Sequence, residues 1–514
     1  MSLPPIIGDL TPLVPAVTLV AFAAITLLFG VFTRERVALN ERAALNERAA
    51  LSERAALGGL ALTGVAAALV FAFYLWLESN ASGVAAAALG GAYLGDALAS
   101  AFTFVILLGS ALAILLADGH LARLELDHPE FHPLLLLATA GGLVLVSAGD
   151  LVTLLLGLEI MSLAVYALAA WRERSRASEE AGMKYFLLGA FASAVLVYGI
   201  ALTYGATGRF DFAGIAAAAA TPGFAANGLL LLGAVFLLVG LGFKVAFAPF
   251  HQWAPDVYTG APTPVTAFMS VVVKTAAFGA LLRVTGTLVE ALGPGPIGEV
   301  LPAALAVLIG LTLVVGNTGA LLQSGVKRML AYSAVAHAGY VGLAVLAGGE
   351  AGVRAAAFYL LAYTLTSLAA FAVLLSLMDD DDGGDRLERL AGLGRRRPWL
   401  AAALSVAMLS LAGFPPFAGF IGKVLVFQAA IAAGHAALAV LAIATSVVAV
   451  VFYARVVTTM YLREPDAHSA PIRPVGRRTA VVLAIGVVGT LAFGLFPGGW
   501  LELVAGAPAW IAGF

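Results

Sequence analysis

Four ionisable side chains lie inside long apolar tracts of the sequence. They are Glu159 in "DLVTLLLGLEIMSLAVY", Lys244 in "GLGFKVAFAPFHQW", Lys274 in "TAFMSVVVKTAAFGALLR" and Lys423 in "GFPPFAGFIGKVLVF". A carboxyl group and an amine can each take up and release a proton, so the four together could carry protons. A charge at the centre of a membrane helix costs roughly 2.5–3.5 kcal/mol on insertion scales. A cost of that size, repeated four times, favours a functional role.

A structural explanation competes with this interpretation. A lysine can extend its long side chain until the ammonium reaches the membrane interface. Glu159 is too short to do so, and its alternative is a buried carboxyl that is protonated or hydrogen-bonded. From the sequence alone, both interpretations stay open for each residue.

Two histidines are further candidates for proton transfer. His337 lies in "KRMLAYSAVAHAGY", and His251 follows the proline of "KVAFAPFHQW". An imidazole can relay a proton near neutral pH. A histidine on an apolar face can equally be a packed, hydrogen-bonded residue, and His251 can equally contact carbonyls that the proline leaves free. We therefore treat both histidines as candidate relays.

The composition indicates a polytopic, all-α membrane protein. Of 514 residues, 61% are hydrophobic and only 11% are charged, whereas soluble domains carry about 25% charged residues. The net charge of −2 gives no indication of a nucleic-acid partner. The first residues lack a basic region and a cleavage site, so no removable signal peptide is expected. The lipid bilayer is therefore the expected surrounding.

The residue content also limits cofactor chemistry. There is no cysteine, so thiolate metal sites, iron–sulfur ligation and disulfides are excluded. No group of residues has metal-ligand spacing, and no glycine-rich loop lies between a strand and a helix. Long extramembrane segments are absent as well. We expect no cofactor on this chain, and any redox or nucleotide chemistry to lie on other chains.

A spanning helix needs about 20 apolar residues, and the sequence predicts fourteen such spans. Their ranges are 11–32, 57–77, 96–117, 132–149, 150–170, 183–205, 226–250, 262–285, 298–322, 328–348, 353–377, 399–432, 434–462 and 479–497. Loop cations then predict the orientation, because cytoplasmic loops carry an excess of Lys and Arg. With the N-terminus outside, 22 cations fall in cytoplasmic loops and only Arg209, Arg283 and Arg354 on the opposite side. Both termini are thus predicted to lie outside.

Two of these spans carry helix-breaking residues beside a lysine. The tract after Lys244 contains Pro249 and Pro255, and the tract before Lys423 contains Pro415 and Pro416. Proline removes a backbone donor, and such a break is tolerated in a membrane only where it lines a cavity or is buried in protein. Broken helices in corresponding positions of two halves are typical of inverted-repeat transporters.

An internal repeat accounts for the position of the two breaks. Lys244 and Lys423 lie 179 residues apart, and "YFLLGAFASA" is echoed by "FYLLAYTLTSLAAF" at an offset of 173. Spans four to eight are therefore predicted to repeat as spans nine to thirteen. A five-span unit reverses its direction when it is repeated in tandem, so the two units would be inverted.

These patterns divide the chain into four sections. Residues 1–130 form a three-helix section, 131–285 and 298–462 the two five-helix repeats, and 463–514 a C-terminal loop and the last helix. A six-residue repeat, "ERVALNERAALNERAALSERAAL", runs from Glu35 to Leu57 over the segment 34–56 and is rich in helix-forming residues. Its leucines are distributed around the helix axis and make no stripe, which argues against a coiled coil. We predict a cytoplasmic helical insert there.

Several motifs resemble one family. "GFKVAFAPFHQWAPDVYTGAPTPVTAFMSVVVKTAAF" resembles the central motif of the antiporter-like membrane subunits of respiratory complex I, and "PDVYTGAPTPV" is similar to the N-type among them. "GLEIMSLAVYALAAW", "KRMLAYSAVAHAGY" and "GFPPFAGFIGKVLVF" agree with the same type. The resemblance covers about residues 90–460.

The resemblance implies a fold of fourteen transmembrane helices with two inverted five-helix repeats. It implies proton pumping within NADH:quinone oxidoreductase, with other membrane subunits of the complex as partners. Glu159 matches the family's carboxylate in the fifth helix. Lys244, Lys274 and Lys423 match its lysines in the seventh, eighth and twelfth helices. A multi-pass protein of the bacterial inner membrane is the expected setting.

A mechanism follows as a hypothesis. Burial favours the neutral form of a lysine and a nearby carboxylate favours the ammonium, so a pair that forms and breaks can switch the charge. The path would run from Glu159 and Lys244 through Lys274 to Lys423, with His337 as a bridge. Two alternatives remain: a subunit of a multi-subunit cation/proton antiporter, and a scaffold that holds neighbouring pumps without moving protons.

Overall fold

The chain in the computed structural model is almost entirely helical. The residues that the structure describes are 10–39, 43–82, 85–121, 124, 126, 128–221, 224, 228–378, 385–465 and 474–505. Helices dominate because a backbone in lipid must satisfy its own N–H and C=O groups. The described chain holds a single small sheet, in which β1 (Ala86–Ala88) pairs antiparallel with β2 (Tyr93–Gly95).

The N-terminal section consists of three long helices. After a 3-10 turn at Thr11–Leu13, they are α1 (Val14–Leu39), α2 (Ala43–Ser82) and α3 (Ala97–Leu121); a second 3-10 turn, Leu89–Gly91, joins β1 to β2. Both α1 and α2 extend into the six-residue repeat, so its described residues are helical.

Nine helical segments build the first five-span unit. They are α4 (Phe131–Val146), α5 (Leu151–Ala169), α6 (Arg176–Thr207), α7 (Phe212–Ala219), α8 (Gly228–Val245), α9 (Trp253–Gly260), α10 (Thr263–Phe268), a π-helical turn (Met269–Val273) and α11 (Lys274–Leu292). The segments from α10 to α11 form one continuous span, Thr263–Leu292. The short helices α7 and α9 lie outside the apolar spans.

The second unit repeats this plan and the chain then ends in two helices. Its segments are α12 (Val300–Leu321), α13 (Val326–Ala347), α14 (Gly349–Leu377), a 3-10 turn (Leu387–Leu390), α15 (Leu393–Arg396), α16 (Pro398–Ala412), α17 (Ala418–Ala432) and α18 (Ala436–Leu462), followed by α19 (Arg477–Leu495) and α20 (Gly498–Ala505). In both units the fourth span is the broken one. Because each unit crosses the membrane five times, the second runs opposite to the first.

The predicted number of spans is confirmed, but several predicted ends differ: the sixth span begins at Arg176 rather than at 183, and the eighth ends at Leu292 rather than at 285. Twelve helices of the described chain are long and apolar enough to cross a membrane. The shorter α4 and the broken pair α16–α17 supply the other two. The seventh span was predicted to reach residue 250, but α8 ends at Val245.

The two breaks have local causes. After α8, Ala246 adopts a φ of 65°, and Pro249 has no N–H with which to continue a helix. After α16, Gly413 adopts a φ of 89°, a conformation that favours glycine. A Cβ atom on Gly413 would also lie 2.7 Å from Cδ of Lys423. The second break thus has a glycine where backbone and lysine approach closely.

The interior of the bundle is formed by the spans that carry the polar residues. In Thr263–Leu292 and in α14, every residue of the most apolar stretch of 18 is buried, and in α13 the buried share of that stretch is 89%. In α19 the corresponding share is only 22%. Outer helices therefore present apolar side chains to the surroundings, while α11, α13 and α14 lie in the protein interior.

Candidate functional site

Lys244 is held by hydroxyl groups and aromatic rings at the end of α8. Its ammonium Nζ donates hydrogen bonds to Ser162 Oγ at 2.7 Å and to Tyr185 OH at 3.2 Å. The same atom lies 5.4 Å from the ring centroid of Tyr166 and 5.0 Å from that of Tyr185. Such rings stabilise a cation through their negative faces. The amine is nevertheless kept from water, because the residue is only 3% exposed.

Glu159 lies close to this group but does not contact the lysine directly. It is half-buried on α5, one helical turn before Ser162, and its Oε1 accepts a hydrogen bond from Ser193 Oγ of α6. Among the described residues there is no ion pair between Glu159 and Lys244 within 4.0 Å. The two residues are instead linked through α5, because Ser162 of that helix accepts a hydrogen bond from Lys244 Nζ.

Lys274 follows directly on the π-helical turn Met269–Val273. Single π turns inside α-helices occur frequently at functional sites. The lysine is 4% exposed, and its Nζ donates a hydrogen bond of 2.6 Å to the carbonyl oxygen of Ala334 on α13. The amine therefore reaches from one five-span unit to the other.

His337 lies three residues after Ala334 on the same helix and is bonded through both ring nitrogens. Nδ1 lies 2.7 Å from Tyr359 OH of α14, and Nε2 lies 3.1 Å from Tyr453 OH of α18. The Tyr453 hydroxyl is also 2.5 Å from Ser333 Oγ. His337 is thus part of a hydrogen-bonded string of exchangeable protons.

Lys423 lies at the second break. Its Nζ donates to the carbonyl oxygen of Ala412, the last residue of α16, and to Ser446 Oγ of α18, both at 2.7 Å. Nζ also lies 4.8 Å from the ring centroid of Tyr340. The side chain lines a cavity of about 390 Å³ together with Ser446 and the residues of the break. The rest of the lining is apolar and includes the exposed residues Ile443 and Val447, so the cavity opens on the outer face of the bundle.

The structure does not join His251 to these groups. The residue lies between α8 and α9, where its ring interacts with the backbone of Pro249. Its Nδ1 has no hydrogen-bond partner among the described residues. Five of the six candidate residues thus lie along the interior. His251 does not, and its contact with the backbone of Pro249 is the local contact that the sequence analysis gave as the alternative to a relay.

The hydroxyl groups around the charged residues were missed by the sequence analysis. The main ones are Ser162, Tyr185, Ser193, Tyr359 and Tyr453. Serine and tyrosine are ordinary in membrane helices, where they commonly bond to a backbone carbonyl or a neighbouring helix. Only the three-dimensional arrangement distinguishes the few that face a buried amine or imidazole.

One cation that was assigned to an outer loop is in fact buried. Arg283 is 1% exposed within α11, and its guanidinium donates to both carboxylate oxygens of Asp96, at 2.6 and 2.9 Å. A third bond of 3.1 Å goes to the carbonyl oxygen of Val146. The assignment was wrong because an arginine near the end of a span looks the same in sequence whether it faces water or a buried carboxylate.

A second charged cluster joins the two units at the end opposite to Arg283. Asp256 of α9 accepts hydrogen bonds of 2.7 Å from Lys184 of α6 and from Arg328 of α13. Burial alone would raise the pKa of Asp256, but the bonds from Lys184 and Arg328 outweigh it and lower that pKa below its usual value. Asp256 is therefore ionised at neutral pH and holds α9 to both neighbouring helices.

Comparisons with known proteins agree with this geometry. A family model described as "NADH:quinone oxidoreductase/Mrp antiporter, TM" matches residues 148–449. NADH-quinone oxidoreductase subunit N 1 of Sorangium cellulosum is 48% identical over 409 residues, covering 77% of this chain and 79% of that protein. Subunit N of Chloroflexus aggregans is 40% identical over 509 residues, 98% of each chain.

Solved structures show the same fold. A chain of respiratory complex I from Thermus thermophilus with bound Aureothin superposes with a TM-score of 0.76 at 39% identity, covering 96% of this chain and 99% of that one. A chain of the Mrp complex from Dietzia superposes with a TM-score of 0.75 at 24% identity, which shows the fold alone. The class is that of antiporter-like membrane subunits. Within that class, the chain belongs to the family of NADH-quinone oxidoreductase N subunits.

Proposed function

We propose that the chain translocates protons as a membrane subunit of NADH-quinone oxidoreductase, driven by quinone reduction in other subunits. The observation that carries the proposal is the set of buried groups through the interior. Lys244, Lys274, His337 and Lys423 expose between 3% and 5% of their surface, yet each is bonded to a hydroxyl or a carbonyl. The N-type relatives and the complex I structure support this role.

Each residue has a distinct part in the proposed path. Glu159 sets the charge of Lys244, because an ionised carboxylate nearby favours the ammonium and a protonated one does not. Lys274 connects the two units through Ala334 of α13. His337 passes protons onward, and Lys423 receives them at the second break. Contact of Lys244 with two hydroxyls lets the amine lose a proton without moving far.

The sections of the chain take on different tasks in this proposal. The repeats at 131–285 and 298–462 supply the two halves of the proton path, while 1–130 and 463–514 flank them. Both termini face outward at the inner membrane of a bacterium, which the 22 cations in the opposite loops, against three on the outer side, support. Since Arg283 is neutralised inside the protein, the outer loops carry even less positive charge than the sequence count suggests.

Redox chemistry belongs to other subunits in this scheme. The chain contains no cysteine, and among the described residues no group of three or more His, Asp or Glu side chains could hold a metal ion. We expect the purified subunit to show no flavin, haem or iron–sulfur absorbance and to oxidise no NADH. A cofactor spectrum from the isolated chain would contradict this expectation.

The decisive experiment is proton pumping by the assembled complex that carries Lys423→Met. The substitution preserves much of the side-chain volume and removes the proton carrier. We expect a complex that assembles, oxidises NADH with an artificial electron acceptor at the normal rate, and pumps few protons per NADH. A scaffold without a pumping role would leave pumping unchanged.

The second candidate, a subunit of a cation/proton antiporter, shares the fold. It is separated from the first by the chains that co-purify with this one. An NADH-oxidising arm in the purified assembly supports the proposal, and its absence supports the antiporter.

A further inference from the structure

The two five-span units place their polar groups at matching spacings along the chain. In the first unit, Lys244 follows Glu159 by 85 residues, and in the second, Lys423 follows His337 by 86. Continuing along each unit, Lys274 lies 30 residues after Lys244, and Tyr453 lies 30 residues after Lys423. Tyr453 is therefore the counterpart of Lys274, on the last span of the second unit.

The structure brings both counterparts to the same turn of α13. Lys274 Nζ donates to the carbonyl oxygen of Ala334, while Tyr453 OH lies 2.5 Å from Ser333 Oγ and 3.1 Å from His337 Nε2. Tyr453 is 2% exposed. Two residues that are equivalent by position thus approach the central helix from α11 and from α18.

We infer that Tyr453 is a proton-relay residue of the second unit, which carries protons between Ser333 and His337. The inference rests on the proposed roles of His337 and Lys423. A phenol hydroxyl can donate one hydrogen bond while it accepts another, so it can pass a proton without becoming charged. Serine, tyrosine and imidazole then form a continuous string that the sequence pattern does not show.

The proton transfer balances at every atom. A hydronium on the side of Ser333 that faces away from Tyr453 gives its proton to Ser333 Oγ and becomes water. Ser333 releases its original proton to the Tyr453 oxygen, and Tyr453 releases its own proton to His337 Nε2. The imidazole becomes an imidazolium and can hand a proton onward, while serine and tyrosine keep their formulas.

The direction of this string agrees with the charge pattern of the chain. Ser333 lies one turn nearer than His337 to the start of α13, where Arg328 binds Asp256. That end carries the cation-rich loops, which we propose to be cytoplasmic. The string would thus bring protons from the cytoplasmic side to His337, from which Lys423 receives them.

The test is Tyr453→Phe in the assembled complex, which removes one hydroxyl and keeps the ring. A positioned proton-transfer group contributes roughly 10²–10⁴-fold, and we expect protons pumped per NADH to fall at least about fivefold. The matched control is Tyr93→Phe, which removes a buried hydroxyl bonded to Ser147 at the other end of the molecule. The control should pump normally.

Ser333→Ala separates a relay from a positioning role. Without Ser333 the bond between Tyr453 and His337 remains, so a tyrosine that only orients the imidazole would allow normal pumping. If Tyr453 is a relay, Ser333→Ala should lose as much pumping as Tyr453→Phe. The double variant should then lose no more pumping than either single variant. Normal pumping by Ser333→Ala, or by Tyr453→Phe, overturns the inference.

His337→Gln shows which proposal fails. If it pumps normally, the role of His337 in the proposed function is wrong, whatever Tyr453 does. If it stops pumping while Tyr453→Phe pumps normally, only the relay is wrong. Should Tyr453→Phe fail to assemble, Ser333→Ala alone decides, because it truncates a small side chain.

Discussion

The broken helices of the two units hold their lysines by different means. Lys244 is bonded to two side-chain hydroxyls and faces two aromatic rings, with Glu159 on the neighbouring helix. Lys423 is bonded to the backbone carbonyl of Ala412, which the break leaves without a helical donor, and to the Ser446 hydroxyl, and it faces the ring of Tyr340. No described ion pair involves Lys423. Both lysines thus have a hydroxyl and a ring, but only Lys244 has a nearby carboxyl whose charge can change.

This difference shows how two units with the same order of helices can carry out two different steps of proton transfer. A titratable partner such as Glu159 lets an outside event change the charge of Lys244. The carbonyl of Ala412 and the hydroxyl of Ser446 do not change their charge, so in the proposed scheme the partners of Lys423 hold its proton with constant strength. By its spacing along the chain, His337 occupies the position in the second unit that Glu159 has in the first, and it is charged only when both of its ring nitrogens carry a proton. We therefore propose that the first unit switches its charge and that the second passes protons on.

Removal of the amine in the first unit should have the largest effect on function. We expect Lys244→Ala to assemble and to lose most of its pumping and coupled turnover, because the remaining carboxyl of Glu159 can become neutral and is then far less costly to bury. Pumping and quinone-linked NADH oxidation, both per assembled complex, measure the effect.

Lys244→Arg is the matched variant for this prediction. Its guanidinium fills the site with a positive charge but stays protonated in proteins. We expect it to restore little pumping. Wild-type pumping in Lys244→Ala, or full recovery with arginine, would show that the lysine only fills space.

A double substitution tests whether Glu159 and Lys244 act as one switch. Each single change, Glu159→Gln or Lys244→Met, should lower pumping. The double variant should lose less than the two effects combined, since residues of one network are not additive. The same cycle with Glu159→Gln and Lys423→Met pairs residues of different units and should come closer to additivity. Additive losses in both cycles would contradict a switch at Glu159.

The buried ion pair of Arg283 and Asp96 anchors the first unit to the N-terminal section, and its loss should act on stability. Breaking a buried pair by removal of one partner costs about 3–5 kcal/mol, because a charge is left uncompensated. We expect Arg283→Met to lower the unfolding temperature of the subunit and the yield of assembled complex. The matched change Arg395→Met removes an exposed pair with Glu464, and exposed pairs contribute only about 0–1 kcal/mol. Equal losses of stability in Arg283→Met and Arg395→Met would contradict an anchoring role for the buried ion pair.

The sequence predicted the parts of the site that are costly or rare, and missed those that are common. Charges in apolar tracts and prolines beside a lysine indicated four of the five arranged candidates and both breaks, and His337 was found as a histidine within a span. The burial of Arg283 was missed because its partner Asp96 lies far away in the sequence. Ser162 and Tyr185 were missed because nothing in their spacing separates them from other polar residues of membrane helices. The spacing of 30 residues could have indicated Tyr453, if the repeat had been followed residue by residue.

The smallest effect is expected from the six-residue repeat. Deletion of residues 40–52 leaves the membrane-spanning part of α2, Ala56–Ser82, and all of α1 in place. The repeat carries no apolar stripe with which to pack, and the deletion removes none of the residues of either lysine site. Assembly and quinone-linked NADH oxidation should remain close to normal, whereas a Gly/Ser linker of equal length serves as the control for spacing. A complex that is lost with the deletion and kept with the linker would mean that only length matters. Loss with both would mean that the repeat itself binds a neighbouring chain, and the prediction would then be wrong.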